Sequence, residues 1–326
     1  MSENGARPDL LRVAVVGVGR FGREHARRYA RRTDCRLVAV VDPDVGLAGE
    51  VAREFECEAF ADLAALLDAR PDARPDAVSI VNPGWAHVET AERVLGAGIP
   101  ALVEKPVALT ADDGHRLIEA ERASSAFVLP GHILRFSTAY RELRARVRSG
   151  EVGRPVGMSF TKHRTRDHDA RYPDEHPVLL TGIHDIDMAL WLTGEPVVSV
   201  RSTERHAPGR NQPVAVFSDL ETESGIAIRL VNTWSPAEGA AVPDRVEIYG
   251  TDGMLQLDLT PRVTNPGSAP LDDEFTPASG GGALATEIDH FLERVRLGEP
   301  SDVITLEEAI DAIRVAERVV QAGAAG

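Results

Sequence analysis

The sequence predicts an α/β protein in two parts, an N-terminal doubly wound parallel sheet and a C-terminal α+β domain with a mainly antiparallel sheet. Three observations predict it. Up to residue 131, short apolar runs alternate with stretches of helical period, the pattern of βαβ units. Those runs are nearly continuous in Val, Ala, Leu and Ile, as strands covered on both faces require. From Pro155 on, strands lengthen and are joined by short turns, as antiparallel neighbours are.

Taken in order, Arg12–Gly17 (RVAVVG) reads as a strand and Arg20–Arg32 as a helix. Arg36–Asp42 is the second strand, followed by helices over Val45–Phe55 and Asp62–Asp68. Asp76–Val81 is a strand, Ala86–Leu95 a helix and Ile99–Val103 a strand. A helix over Thr110–Ser124 is capped by Thr110, with Asp112 and Asp113 facing its dipole. Ala126–Pro130 closes the first sheet, and Tyr140–Arg148 is helical. In the second part a helix spans Gly182–Leu192, and Val214–Asp219 and Gly225–Trp234 read as antiparallel neighbours. Arg245–Tyr249 and Met254–Leu259 flank GTDG, a hairpin signal. Asn265–Gly282 is rich in Gly, Pro and Ser and reads as a surface loop. Helices near Leu284–Leu297 and Leu306–Gln321 close the chain, the last amphipathic through Ile310, Ile313, Ala316, Val319 and Val320. Domains are expected at 1–131 and 132–326, with a cleft between them and the last helix returning to the first.

Bulk composition excludes several classes. A formal charge of −15 repels nucleic acid and anionic lipid. No apolar run reaches the ~18 residues of a membrane span. The polar start MSENGARPDL lacks a signal peptide's apolar core, and only Cys35 and Cys57 are cysteines, so a cytoplasmic protein without disulfides is expected.

The cofactor signal is GVGRFG, with Gly17, Gly19 and Gly22 around Val18, Arg20 and Phe21, directly after a strand and opening a helix. The first glycine permits a tight turn, the second lets backbone approach a pyrophosphate, and the third allows close helix–strand packing. The helix N-terminus offers free N–H groups to phosphate. Asp42 ends the second strand, where a carboxylate accepts hydrogen bonds from the adenosine ribose and repels a 2′-phosphate. NAD is therefore expected as cofactor ahead of NADP.

Further strand ends meet that edge. VNPGWAH brings Asn82, Pro83 and His87 there, and VEKP brings Glu104, Lys105 and Pro106. Of 36 cationic residues only Lys105 and Lys162 are lysines. Arginine cannot surrender its proton, whereas lysine can when burial and charge lower its pKa. The position at 105 thus asks for an amine. The reading of Lys105 as a simple salt-bridge partner of Glu104 stands beside it.

In order, GVGRFG, Asp42, NPGWAH, EKP and GIHDIDMALWL resemble the glucose–fructose oxidoreductase / inositol 2-dehydrogenase (Gfo/Idh/MocA) family. The likeness covers nearly the whole chain, including Arg135–Phe136, SGEVGRP at Ser149–Pro155 and IYGTDGMLQLD at Ile248–Asp258. It implies a Rossmann domain, then a domain built on a large open sheet whose face forms homodimers or homotetramers. It implies an oxidoreductase moving a hydride between nicotinamide and a carbinol carbon of a sugar, inositol or related polyol. Carried over position by position, Lys105 contacts the substrate oxygen and His184 is the active-site histidine, together handling the hydroxyl proton. Asp187 lies near the same face. Many members carry an aspartate four residues before that histidine. Here the position is Leu180, which removes a partner for both catalytic groups.

The segment Phe160–Pro177 holds Lys162, His163, Arg164, Arg166, His168 and His176, and Lys162 and Arg164 are candidates to hold substrate hydroxyls, against the plainer reading of a solvated loop. Its histidines lack metal-ligand register, so no metal is expected. Two other readings stay open: an NAD-binding sensor without turnover, and an NAD-dependent glycoside-cleaving enzyme that oxidises its substrate transiently.

Overall fold

The computed structural model describes residues 10–70, 74–172, 175–237, 240, 244–259 and 282–324. The valine-rich N-terminal run forms β1 (Leu11–Val16), followed by α1 (Arg20–Ala30), β2 (Cys35–Val41), α2 (Val45–Phe55), β3 (Glu58–Phe60) and α3 (Leu63–Leu67). Then come β4 (Ala77–Ile80), α4 (His87–Gly96), β5 (Ala101–Glu104), α5 (Ala111–Arg122) and β6 (Val128–Gly131). These strands make one parallel sheet in the order β3-β2-β1-β4-β5-β6, the doubly wound arrangement. Every residue of β4 and β5 is buried, so both faces of the sheet are covered.

The chain continues through α6 (Thr138–Arg148), β7 (Pro155–His163), α7 (Asp167–Arg171), α8 (Ile183–Thr193), β8 (Val197–Arg205), β9 (Ala215–Thr222) and β10 (Ala227–Thr233). The hairpin β11 (Asp244–Gly250) and β12 (Met254–Leu259) and the helices α9 (Ala283–Leu297) and α10 (Leu306–Ala324) complete it. The second sheet runs β12-β11-β7-β10-β9-β8, antiparallel except where β7 meets β10. Along β9 burial alternates residue by residue, so one face is packed and the other open.

Two compact units result. One takes the chain up to Ala108, then Asp112–Gly131 and Glu287–Glu307; the other takes Leu109–Ala111, His132–Thr286 and the chain from Glu308. It is the penultimate helix, rather than the last, whose larger part clusters with the parallel sheet. Phe291 of α9 meets Phe127 edge to face at 6.3 Å, and Ile288, Phe291 and Leu292 are fully buried. Each such side chain contributes about 1.5–3 kcal/mol.

Three strands escaped the sequence reading: the central β7, whose end at Phe160–His163 was read as part of a polar segment, and two others, β3 and β8. β3 has three residues and no apolar run. β8 follows no clean alternation, because its register shifts between Val197 and Ser199. Both lie at sheet edges, where burial imposes little pattern. The expected loop at Asn265–Gly282 lies, apart from Gly282, outside the described residues.

Candidate active site

Geometry around the glycine loop is severe where packing demands it and open where a ligand would approach. Gly17 has φ +83°, and a Cβ there would stand 2.4 Å from the Asn82 backbone nitrogen. A Cβ on Gly22 would stand 1.9 Å from the Gly17 carbonyl oxygen. At Gly19 a Cβ would meet nothing within 4 Å. α1 starts with neither a capping side chain nor an acidic residue in its first turn, whereas Asp44, Asp62 and Ser137 cap α2, α3 and α6. Its N–H groups are left for an anion. Asp42 Oδ2 accepts the Val18 N–H at 2.9 Å and Oδ1 accepts that of Asp44 at 3.0 Å. Each oxygen keeps a lone pair for a ribose hydroxyl. Arg20 is exposed, and Phe21 packs edge-on against His25 at 5.1 Å.

Next to this loop, β4 and β5 end in Asn82-Pro83 and Glu104-Lys105. Asn82 Nδ2 donates to Thr90 Oγ1 at 2.9 Å, while its Oδ1 is buried without a partner, an acceptor a bound dinucleotide could use. Pro83 is exposed. The residues present thus fit a dinucleotide held by Gly17, Gly19, Gly22, Asp42 and Asn82. Lys105 is half-buried; its backbone N–H donates to Glu104 Oε2 at 3.2 Å, and its peptide bond to Pro106 is cis.

His87, expected to line the pocket, is instead 2% exposed. Its Nδ1 lies 2.8 Å from the Pro106 carbonyl and its Nε2 2.8 Å from that of Asn82. The ring fills the space between the two ligand-edge loops, and in its neutral form its single N–H donates to one of the two carbonyls. Burial holds its pKa below the ordinary histidine value, outweighing the carbonyls and Glu104.

In the second unit a π-helical turn over Val178–Gly182 leads into α8. The i, i+4 spacing that set Leu180 against His184 assumed α-helix through both positions, whereas i→i+5 bonding changes the register before Ile183. His184 stands half-buried in the first turn of α8. Asp187 is 1% exposed, bonded by Arg135 at 2.7 Å and 3.3 Å from His132, so it braces α8 rather than reaching outward. Burial alone would raise its pKa, but His132 and Arg135 reverse that and hold it at about 2.

Lys162, read from sequence as a substrate contact, is 2% exposed, with Nζ 3.2 Å from Asp185 and 3.0 Å from Asp244. Arg164 shares Asp244 at 2.9 Å but keeps 26% of its side chain in solvent. Burial pushes the Asp185 pKa up to about 6, against the pull of Lys162. Trp234 is fully buried, its Nε1 donating to Thr181 Oγ1 at 3.3 Å. His163 pairs with Thr233 at 2.6 Å and His176 with Glu204 at 3.1 Å. Among the described residues no three His, Cys, Asp or Glu side chains are grouped to hold a metal.

Residues 11–132 match an oxidoreductase family with an NAD-binding Rossmann fold, GFO_IDH_MocA, and residues 140–256 match the C-terminal domain of the same family. Inositol 2-dehydrogenase 2 of Saccharopolyspora erythraea is 32% identical over 277 residues, covering 82% of this chain and 80% of its own. The chain belongs to the GFO/IDH/MocA family. UDP-N-acetylglucosamine 3-dehydrogenase of Acidithiobacillus ferrooxidans is 30% identical over 299 residues, 89% of this chain and 90% of its own. A scyllo-inositol dehydrogenase from Lactobacillus casei superposes over 97% of this chain and 96% of its own with a TM-score of 0.85. At 22% identity that likeness speaks to the fold. This GFO/IDH/MocA protein is an oxidoreductase whose first domain binds NAD.

The sequence reading passed over Trp85, 73% exposed in the turn after Asn82-Pro83. A large aromatic between turn formers was the signal. It also passed over Glu287, a carboxyl on the apolar stripe of α9, and over His25, which faces Glu104.

Proposed function

We propose that this GFO/IDH/MocA enzyme oxidises a secondary alcohol of an inositol, sugar or related polyol, with Lys105 and His184 handling the hydroxyl proton. One observation carries it: the open glycine loop, the unpartnered Asn82 oxygen and the half-buried Lys105 all follow strand ends at one edge of the parallel sheet. The curated relatives, named as inositol and nucleotide-sugar dehydrogenases, support the substrate class. NAD, when bound, supplies the hydride acceptor. The Gly17–Gly22 loop, with Arg20 and Phe21, would hold the pyrophosphate where Gly19 leaves the backbone open, and Asp42 would take the ribose hydroxyls. Lys105 orients the substrate oxygen, and His184 takes its proton, a role that suits an imidazole. In the reverse direction the same two groups return it. Of the other candidates Arg164 keeps the exposure a substrate contact needs, whereas Lys162 and Asp187 hold the fold around His184.

The open face of the second sheet supports a homo-oligomer. On it Tyr249 and Met254 stand opposite each other, Phe217 opposite Val231, and Arg229–Asp219 and Arg245–Asp258 pair in charge. Free Cys35 and Cys57 support a cytoplasmic setting. Among the described residues no helix is long and apolar enough to cross a membrane.

Assaying NADH formation over a panel of inositols, sugars and nucleotide sugars tests the function. Turnover concentrated on one polyol class is expected. Tight NAD binding without turnover on any member points instead to a sensor. Glycoside cleavage without net NADH identifies transient oxidation.

A further inference from the structure

The first unit carries a group of ionisable side chains that the proposed chemistry leaves unused. Glu287 lies on the apolar stripe of α9 with Ile288 and Phe291 and is 0% exposed. Neither of its carboxyl oxygens has a hydrogen-bond partner. Glu104, ending β5, is 6% exposed. Its Oε2 accepts the Lys105 backbone N–H, and its Oε1 stands 3.3 Å from His25 Nε2, an ion-pair distance without hydrogen-bond alignment. His25 is 0% exposed, with Nδ1 3.4 Å from Ser79 Oγ, which in turn pairs with the Tyr29 hydroxyl at 2.7 Å. Gly131 makes the room: a Cβ there would lie 3.1 Å from Glu104 Oε1.

A carboxylate buried without any donor takes up a proton rather than keep its charge. Burial first, and the charge of Glu104 second, push the Glu287 pKa well above the usual glutamate range. Glu104 is placed differently, with an N–H donor and an imidazole at hand. The groups around these carboxyls are His25 against Glu104, Ser79 and Tyr29 hydrogen-bonded behind His25, Lys105, and His87, which feels the charges of both Glu104 and Lys105.

We propose that Glu104 and Glu287 form a buried carboxyl pair holding a single proton, carried by Glu287, and that the lone charge left on Glu104 positions Lys105. That charge anchors the lysine's backbone and keeps one anion next in the chain to its amine. Glu104 and Glu287 are thus positioning residues for the hydride-transfer reaction, an inference that rests on Lys105 acting on the substrate as read above.

The test compares Glu287→Gln, Glu104→Gln and Lys105→Arg in the full chain, reading the pH dependence of kcat/KM and of the urea midpoint. An acid whose pKa is raised by folding stabilises the protein below its unfolded pKa and loses that contribution as pH rises. The parent midpoint therefore falls as pH rises above the ordinary glutamate range, and Glu287→Gln is flatter. Glu287→Gln exchanges one neutral group for another, so it folds, lowers kcat several-fold and leaves the lysine-dependent limb at the parent pH. Glu104→Gln moves that limb to lower pH by about one unit, and Glu104→Asp, which keeps the charge, restores it. A Glu287→Gln that fails to fold, or that moves the limb as Glu104→Gln does, shows Glu287 to be charged and overturns the pair. An unmoved limb in Glu104→Gln, with Lys105→Arg inactive, overturns the positioning role and leaves the reading of Lys105 standing. Normal turnover by Lys105→Arg sinks that reading instead, and the urea comparison then decides the pair by itself.

Discussion

Lys105 and Lys162 are the same residue type in a chain otherwise served by arginine, and their surroundings separate them. Lys105 stays half-buried beside the nucleotide loop, whereas Lys162 is closed between Asp185 and Asp244. Rarity marked both; burial separates the amine proposed to act on substrate from a structural cation. Lys105→Arg keeps the charge and removes the proton exchange, so kcat falls by about 10²–10⁴-fold while NAD affinity holds. Single-turnover kinetics with a separate NAD titration check this. Asp42→Ala removes the carboxylate that repels a 2′-phosphate, and the NADP/NAD ratio of kcat/KM rises by about tenfold. An unchanged ratio would count against Asp42 as the ribose partner. Asp187, legible in sequence only as a neighbour of His184, is held by Arg135 and His132. Asp187→Ala leaves Arg135 buried with one partner fewer, a cost of about 3–5 kcal/mol in urea unfolding. Because folding lowers the Asp187 pKa to about 2, its contribution is present above about pH 4 and is lost as pH falls through about 2.

At the scale of elements, the parallel strands and their helices were readable because burial on both faces writes continuous apolar runs. The glycine loop was readable because backbone approach demands residues without a Cβ. The π-helical turn before α8 was not, since its sequence differs in no local way from an α-helical start. Gly131 shows the same limit. It ends β6 in a run that reads as strand, yet a Cβ would lie 2.9 Å from Glu104 Cα and press on the backbone that carries Lys105. Gly131→Ala therefore costs about 1–3 kcal/mol by overpacking, visible as a lower urea midpoint together with a lower kcat. Loss of stability without loss of kcat would detach Gly131 from the site.

For the whole molecule, charge and sheet exposure act together. A net charge of −15 opposes association, so an oligomer needs a surface where charges pair. The open face of the second sheet offers Arg229–Asp219 and Arg245–Asp258 beside Phe217, Tyr249 and Met254. Phe217→Asp should convert the proposed homo-oligomer to monomer in light scattering after size exclusion, with the far-UV spectrum unchanged. A parent protein that runs as a monomer would remove this surface from consideration.

By itself the sequence determined the two-part α/β architecture, the glycine loop with Asp42, and the rare lysine kept at position 105. Each is a short-range pattern: strand and helix period, missing side chains, or a rare residue at a strand end. Tertiary structure decided which polar groups are spent inside the protein. His87 was closed between two carbonyls, Lys162 and Asp187 became buried partners, and Glu287 was buried with neither carboxyl oxygen hydrogen-bonded. The reason is physical: the charge a side chain carries and the ligand it can reach depend on burial and on neighbours, and residues distant in the chain supply both.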